Sequence, residues 1–214
     1  MNVGLEHSIA RVLLDVGAVT FSPESPYIFT SGLRSPVYVD NRVLVYHPDA
    51  WRLIVDGFQS TIDERNLHFD VIAGVAVGGV PHSSALAYTT RTPSVFIRTA
   101  SKAHGKRQLI EGGDVANKRV LLVEDHVSTG GSALEAVEAL RAKGAIVECA
   151  LAIISYGFPE AHVAFEMAGL RLETLTNFDI LLEQTLERGK LNEAQLHLIR
   201  QWFADPQAWG EQFT

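Results

Sequence analysis

Hydrophobic and polar positions follow two patterns that alternate along the chain. Runs that are apolar at nearly every position predict strands covered on both faces of a parallel sheet, and they lie at residues 71–75, 120–123 and 146–155. Segments with apolar residues at helical spacing predict amphipathic helices, and they lie at residues 5–16, 48–65, 133–143 and 159–168. Shorter strands are expected at 94–98 and 170–175. The alternation predicts an α/β fold, with a mainly parallel twisted sheet flanked by helices.

The two ends of the chain have different patterns. Residues 21–41 contain three prolines and a Ser-Gly turn signal, which predicts irregular or extended structure such as a surface hairpin. Residues 192–203 predict a closing helix that packs with this segment. We expect one domain over residues 1–214, with a core of approximately 41–189 and a small hood from approximately 1–40 and 190–214.

The central apolar run ends in two acids. Glu124 and Asp125 follow the run and precede the hydroxyl and glycine segment Ser128–Ser132, after which a helix begins. Ligands of open α/β sheets bind beyond the carboxyl ends of the strands. Gly130 and Gly131 allow backbone amides to converge on an anion at the start of the helix. The pattern favours a phosphate site, with acids that bind ribose hydroxyls or magnesium.

A structural interpretation of the same loop stays open. Ser132-Ala-Leu-Glu135 matches a capping box, so Ser132 is a candidate N-cap of the helix. Capping and phosphate binding are compatible, but capping alone does not account for two acids at the end of the strand.

Two further segments are candidates for anion binding. The turn at residues 76–79 follows a buried strand, although its glycine pattern is a weak signal in isolation. Residues 92–110 contain no acid and carry five basic side chains, at Arg98, Lys102, His104, Lys106 and Arg107. A solvated surface charge run is the ordinary interpretation. The alternative is a long loop whose cations reach the phosphate site.

Composition narrows the classes of function. The chain is 47% hydrophobic and 20% charged, as is usual for a globular protein, and its formal charge of -7 disfavours non-specific nucleic-acid binding. Cys149 is the single cysteine and falls in a predicted buried strand, so no internal disulfide is expected. No segment approaches the ~18 apolar residues of a membrane span. We expect a cytoplasmic protein that does not bind membranes.

Residues 120–132 resemble the phosphoribosyl pyrophosphate (PRPP) signature of the type I phosphoribosyltransferases. Residues 29–42, 97–105 and 109–112 are similar to the orotate-specific family within that class. The resemblance implies the type I phosphoribosyltransferase fold and a glycosyltransferase activity. The implied reaction transfers ribose 5-phosphate from PRPP to orotate, releases pyrophosphate and gives orotidine 5'-monophosphate for pyrimidine biosynthesis. It also implies a homodimer.

The resemblance assigns roles to individual residues. The PRPP-binding residues would be Arg98, Lys102, His104 and Lys106 of a lid loop, and Glu124, Asp125, His126, Val127, Ser128, Thr129, Gly130, Gly131 and Ser132. The pyrophosphate loop would be Ala76, Val77, Gly78 and Gly79, and orotate would meet Phe29, Ser31, Arg34 and Ser128. Lys102, Glu124 and Asp125 would be catalytic. Mg²⁺ would be bound through PRPP, with Asp125 as a possible protein ligand.

The chain departs from the family pattern at three places. Thr30 stands where many members have a lysine, Thr99 and Ala100 lack another lysine, and Tyr156 replaces an arginine that meets the substrate carboxylate. By residue chemistry, Phe29 and Tyr38 could stack on a flat ring, while Arg34 or Arg42 meets a carboxylate. A phosphoribosyltransferase for purines or xanthine and a PRPP-sensing regulator stay open as alternatives.

Overall fold

A computed structural model describes residues 3–29, 32–98 and 110–213. The helices are α1 (Val3–Asp15), α2 (Pro48–Glu64), α3 (Gly79–Thr90), α4 (Gly131–Ala142), α5 (Pro159–Met167), α6 (Phe178–Glu187), α7 (Glu193–Ala204) and α8 (Pro206–Glu211). The strands are β1 (Val19–Phe21), β2 (Tyr27–Ile28), β3 (Arg34–Ser35), β4 (Val37–Val39), β5 (Val71–Val75), β6 (Ser94–Ile97), β7 (Ile110–Glu111), β8 (Arg119–Val127), β9 (Ile146–Ser155) and β10 (Arg171–Asn177). A short 3₁₀ helix spans Asn41–Tyr46.

The main sheet has six strands in the order β10-β9-β8-β5-β6-β7. All neighbours pair in parallel except β6 and β7, which are antiparallel. The predicted α/β class is therefore confirmed. Because β8 lies between β5 and β9, its carboxyl end opens near the middle of the sheet edge, where ligands of such sheets bind.

Helices cover both faces of the sheet, which explains the continuous apolar runs. Leu121 and Val123 of β8 join a core cluster with α1, α2 and α6, whereas Val120 and Leu122 join a second cluster with α4 and α5. Successive side chains of a strand point to opposite faces, so a strand buried on both faces needs an apolar residue at every position. The single cysteine, Cys149, is buried in β9 as expected.

The start of α4 differs from the predicted capping box. Gly130 occupies the N-cap position with a φ of 86°, and no side chain caps the helix. Ser132 lies one residue inside the helix and is exposed, so the interpretation of Ser132 as N-cap is wrong. A left-handed backbone is readily adopted by glycine, and the chain uses Gly130 to turn sharply from β8 into α4.

The N-terminal and C-terminal segments meet beside the sheet, as predicted. Strands β2 and β3 form a small hairpin, β1 pairs with β4, and α8 packs against β3. The indole Nε1 of Trp202 on α7 donates a hydrogen bond of 2.9 Å to the carbonyl of Arg34. Helix α1 packs on α2, α6 and β10. The division into hood and core at about residues 40 and 190 stays a prediction.

The sequence did not predict the 3₁₀ helix, β7, α6 or α8. No helix within the described ranges is both long and apolar enough to cross a membrane.

Candidate active site

A cavity of about 1090 Å³ opens at the carboxyl ends of β5 and β8. One group of lining residues, the acid wall, consists of Gly78, Glu124, Asp125 and residues 128–132. A second group, the aromatic wall, consists of Phe29, Tyr38, Tyr156, Phe158 and Trp202. Asp40 caps the start of the 3₁₀ helix and Arg42 is the second residue of that helix, and both line the cavity. The volume of the cavity is slightly above the usual range for small-molecule sites, roughly 300–1,000 Å³.

The two acids are held by buried hydrogen bonds. Glu124 is 6% exposed and Asp125 is 8% exposed. The Nδ2 amide of buried Asn41 donates to the carbonyl of Asp125 over 2.8 Å, which ties the end of β8 to the 3₁₀ helix. His126 Nδ1 lies 3.1 Å from the Asp125 carboxylate. The carboxylates are thus fixed by the sheet and its nearest neighbours.

Burial divides the two acids electrostatically. Burial and the neighbouring Asp125 charge raise the pKa of Glu124 to about 8, so Glu124 carries a proton at neutral pH. Burial alone would raise the pKa of Asp125, but the hydrogen bond and charge of His126 outweigh it and hold that pKa below its ordinary value. A neutral donor and an anionic acceptor therefore lie side by side at the end of β8.

A buried histidine packs behind the acids. His82 of α3 is fully buried and accepts a hydrogen bond of 3.1 Å at Nδ1 from the indole Nε1 of Trp51. Burial lowers the pKa of His82 to about 4, and this neutral ring therefore adds no charge beneath Asp125.

The glycine loop between β8 and α4 brings backbone amides to the cavity. Residues 128–132 line the cavity, and Ser128 and Thr129 are exposed. A Cβ at Gly130 would lie 2.6 Å from the ring of Phe165. Gly130 therefore lets the backbone approach α5, and the first turn of α4, whose N-terminus has no side-chain cap, lines the cavity. Such an arrangement is suited to an anion.

The turn after β5 completes the acid wall. Ala76, Val77 and Gly78 line the cavity, and Val77 is 76% exposed. A Cβ on Gly78 would overlap the Asp125 carboxylate, and a Cβ on Gly79 would overlap the carbonyl of Val123. Gly78 and Gly79 are therefore required for close packing of this turn on β8.

The aromatic wall is assembled from distant parts of the chain. Tyr156 and Phe158 stack with ring centroids 5.6 Å apart, and Phe158 meets Trp202 edge to face at 5.5 Å. The ring of Tyr38 in β4 lies against the ring of Tyr27 in β2, with centroids 5.3 Å apart. Offset and edge contacts of this kind are favourable between aromatic rings. The wall offers flat apolar surface in the same cavity as the acids.

Most predicted PRPP residues lie in this cavity, but not all. Arg98, at the end of β6, forms an ion pair of 2.9 Å with Glu111 and does not line the cavity. Arg34 does not line it either, whereas Arg42 does. Gly79 begins α3 and lies under the turn. Ser31, Lys102, His104 and Lys106 lie outside the described residues, as does Thr30.

Sequence reasoning missed several cavity residues, namely Leu33, Val39, Asp40, Val75, Glu135, Phe158 and Trp202. Trp202 has the helical spacing of a core residue, and the sequence carries no local signal that its indole also reaches a cavity. Asp40 lies two positions before Arg42, and this spacing of opposite charges is the signal by which their ion pair could have been found in the sequence.

The paired acids, the amide loop and the turn are the features expected from the sequence resemblance to phosphoribosyltransferases. The Phosphoribosyl transferase domain family matches the chain over residues 46–160. An orotate phosphoribosyltransferase of Coxiella burnetii is 39% identical to the chain over 201 residues, which cover 94% of the chain and 96% of that relative. At this identity over nearly the whole length, the chain belongs to the orotate phosphoribosyltransferase family.

Solved structures agree with this family. The orotate phosphoribosyltransferase of Aeropyrum pernix matches 86% of the chain and 99% of its own length, with a TM-score of 0.74 and 28% identity. The UMP synthase of Leishmania donovani matches 93% of the chain with a TM-score of 0.80 and 27% identity. The chain spans only 42% of that larger protein.

Proposed function

We propose that this chain transfers the ribose 5-phosphate group of PRPP to orotate, with release of pyrophosphate and formation of orotidine 5'-monophosphate. The observation that carries the proposal is one cavity lined by buried Glu124 and Asp125, by the amide loop and by the aromatic wall. Its relatives of 39% identity bear the name of this activity. The two walls match the two substrates, a phosphorylated sugar and a flat ring.

The acid wall would hold the sugar. In the proposed mechanism the amides of residues 128–132 hold the 5-phosphate, while Glu124 and Asp125 bind the ribose hydroxyls. The unequal protonation of the two acids supports this role, because a hydroxyl pair needs both donors and acceptors. Displacement at an acetal carbon passes through an oxocarbenium-like state, as in glycoside chemistry. The chain's task is then to orient the reactants and exclude water.

Magnesium is the cofactor we propose, bound chiefly through the phosphates of PRPP. Within the described part of the chain, no group of three or more His, Cys, Asp or Glu side chains could hold a metal ion. A site with one carboxylate, that of Asp125, fits Mg²⁺, which usually binds one or two carboxylates together with substrate phosphates. When bound, the ion would neutralise charge on the departing pyrophosphate.

The lid loop stays part of the proposal. Lys102, His104 and Lys106 are proposed to cover PRPP, and Lys102 to meet the departing pyrophosphate in the transition state. Arg98 supports the neighbouring strand pair through Glu111, and it would have to leave that ion pair to bind PRPP. Exposed ion pairs contribute little, roughly 0–1 kcal/mol, so such an exchange is cheap.

A homodimer is also proposed. Tyr46 and Tyr88 are 85% and 86% exposed, and aromatic side chains are enriched at protein interfaces. A lid with this many charged residues has little apolar surface to hold it closed without a neighbour. Sedimentation at assay concentration tests the assembly, and a fully active monomer would contradict it.

The test of the function is pyrophosphate release from PRPP and Mg²⁺ with orotate, adenine, hypoxanthine and xanthine in parallel. We expect turnover with orotate alone. Turnover with a purine base and not with orotate would support the different-base alternative, and binding of PRPP without any turnover would support a regulator.

A further inference from the structure

The acidic side chains that line the cavity should repel orotate, because orotate carries a negatively charged carboxylate. Besides Glu124, which is neutral when protonated, three acids line the cavity, namely Asp40, Asp125 and Glu135. Among the described lining residues, the one arginine or lysine is Arg42. An anionic ring that entered such a cavity would be repelled unless a cation met its carboxylate. Among the residues that the structure describes, that cation would have to come from a side chain beside the aromatic wall.

Tyr156 cannot supply it. The ring of Tyr156 is 7% exposed and packs between Phe158, at 5.6 Å, and Phe178, at 4.8 Å. Burial raises the pKa of its phenol, which therefore stays neutral. Its position forms a flat part of the wall and offers no positive charge.

Arg34 is also poorly placed. It lies in β3, where its carbonyl accepts the hydrogen bond of Trp202, and its side chain does not line the cavity. Its Cβ lies on the side of Gly210 in α8, 3.6 Å from where a Cβ on that glycine would stand. Arg34 belongs to the packing between the hairpin and the C-terminal helices.

Arg42 has the geometry of a carboxylate clamp that is already oriented. Its Nε and Nη2 donate to the two oxygens of Asp40 over 2.7 Å and 2.8 Å, and its backbone N–H donates to the same carboxylate over 3.2 Å. This bidentate pair uses one edge of the guanidinium. Two N–H bonds of Nη1 and the second of Nη2 remain, and they present a second fork of the shape that matches a carboxylate.

We propose that Arg42 binds the carboxylate of orotate and that Asp40 positions the guanidinium for it. The ring would then lie along Phe29 and Tyr38, which line the same cavity, and Tyr38 is close enough to Arg42 to interact with its charge. This inference rests on the proposed function, since it names the residue that recognises the acceptor of that reaction. It accounts for Tyr156 at the position where an arginine meets the carboxylate in many relatives, because the charge comes from another segment.

The test compares Arg42→Gln and Arg42→Lys with wild type and with the control Arg52→Gln. Arg52 lies on α2, its side chain is 81% exposed, and it forms an ion pair with Asp56. Neither residue lines the cavity. The Michaelis constants for orotate and PRPP are measured, together with the ratio of kcat/KM for orotate over uracil, which has the same ring without the carboxylate. Thermal unfolding of each variant checks the fold.

Arg42→Gln should raise KM for orotate by roughly 10- to 100-fold, the range for loss of a hydrogen bond to a charged group. The orotate to uracil ratio should fall by a similar factor, while KM for PRPP changes by less than about two-fold. Arg42→Lys keeps the positive charge but loses the forked pair of donors, so its KM for orotate should lie between those of wild type and Arg42→Gln. Arg52→Gln should match wild type.

Two outcomes would overturn the inference. One is an unchanged KM for orotate in a folded Arg42→Gln protein; the other is a raised KM for PRPP with an unchanged orotate to uracil ratio, which would assign Arg42 to a phosphate group. The wild-type arm separates these from failure of the proposed function. If wild type does not use orotate, both the function and the clamp fail, whereas an active wild type with an unaffected variant removes the clamp alone.

Discussion

The two walls of the cavity are built from different kinds of chain. The acid wall comes from one stretch, residues 124–132 at the end of a nine-residue strand, and from the turn after the neighbouring strand β5. The aromatic wall joins a hairpin of two-residue strands to the end of β9 and to a C-terminal helix. One wall is therefore fixed by the sheet itself. The other depends on long-range side-chain packing, and small changes there should alter the ring that it accepts.

The strongest test of the rigid wall is Gly78→Ala. The added methyl would overlap the Asp125 carboxylate, so either the turn after β5 or the acid must move. We expect kcat/KM to fall by roughly 10²- to 10³-fold, since small misplacements of reacting groups have effects of this size. Gly113→Ala is the control, because its Cβ would make only an ordinary contact of 3.9 Å with Val95. Normal activity of Gly78→Ala would show that the turn or Asp125 can shift without loss of the catalytic geometry.

Lys102 tests whether chemistry also depends on a residue outside both walls. If Lys102 meets pyrophosphate only as the C–O bond lengthens, Lys102→Ala should lower kcat by about 10²-fold, equivalent to about 2.7 kcal/mol. KM for PRPP should change little. Lys106→Ala, measured in the same steady-state assay, should have a smaller effect. An unchanged kcat for Lys102→Ala would leave that lysine with a role in binding only.

Glu124→Gln separates the function of the acid wall from its stability. It should lower kcat/KM by about 10- to 100-fold, as expected when a hydrogen bond to ribose is altered. The pKa of Glu124 is about 8 in the folded protein and near 4.5 in the unfolded chain, so folding binds this proton more tightly. The stability that protonated Glu124 contributes is full below pH 4.5 and is lost as pH rises through about 8.

Because glutamine cannot ionise, the variant should escape this loss. Without substrate, Glu124→Gln should gain about 2–4 kcal/mol in unfolding free energy over wild type between pH 5 and pH 8. Denaturant unfolding at both pH values measures it. A difference that does not change with pH would mean that Glu124 is ionised in the folded state.

The smallest effect is expected from the aromatic wall. Trp202→Phe keeps an aromatic ring and removes the hydrogen bond of 2.9 Å to the carbonyl of Arg34. We expect a loss of about 1 kcal/mol in unfolding free energy and a few-fold rise in KM for orotate. KM for PRPP should not change. A change in PRPP binding of equal size would show that the two walls are coupled.

The acid wall could be predicted because its signals are local. Burial on both faces makes β8 and β9 apolar throughout, and the acids and glycines follow β8 directly in the sequence. The limits of β9 were predicted at Ile146 and Ser155, where the structure has them. A capping role for Ser132 was expected from the same local pattern and was wrong, because Gly130 makes the turn without a side-chain cap.

The aromatic wall could not be predicted in the same way. Phe158 and Trp202 are 8% and 1% exposed, and their spacing in the sequence is that of ordinary core residues. Only the tertiary fold places their rings beside a cavity. The choice between Arg34 and Arg42 was likewise open in the sequence, because both lie in the same irregular segment. The structure separates them, since Arg42 lines the cavity and Arg34 does not.

The hydrogen bond from Trp202 to Arg34 joins residues 168 positions apart, and this separation has a consequence for the order of folding during synthesis. The strands on both sides of β8 are complete at Ser155, whereas the aromatic wall also needs α7, which begins at Glu193. Domains generally fold as units during synthesis. The cavity can therefore be complete only after the ribosome has made α7, although the segments that carry the acids are made much earlier.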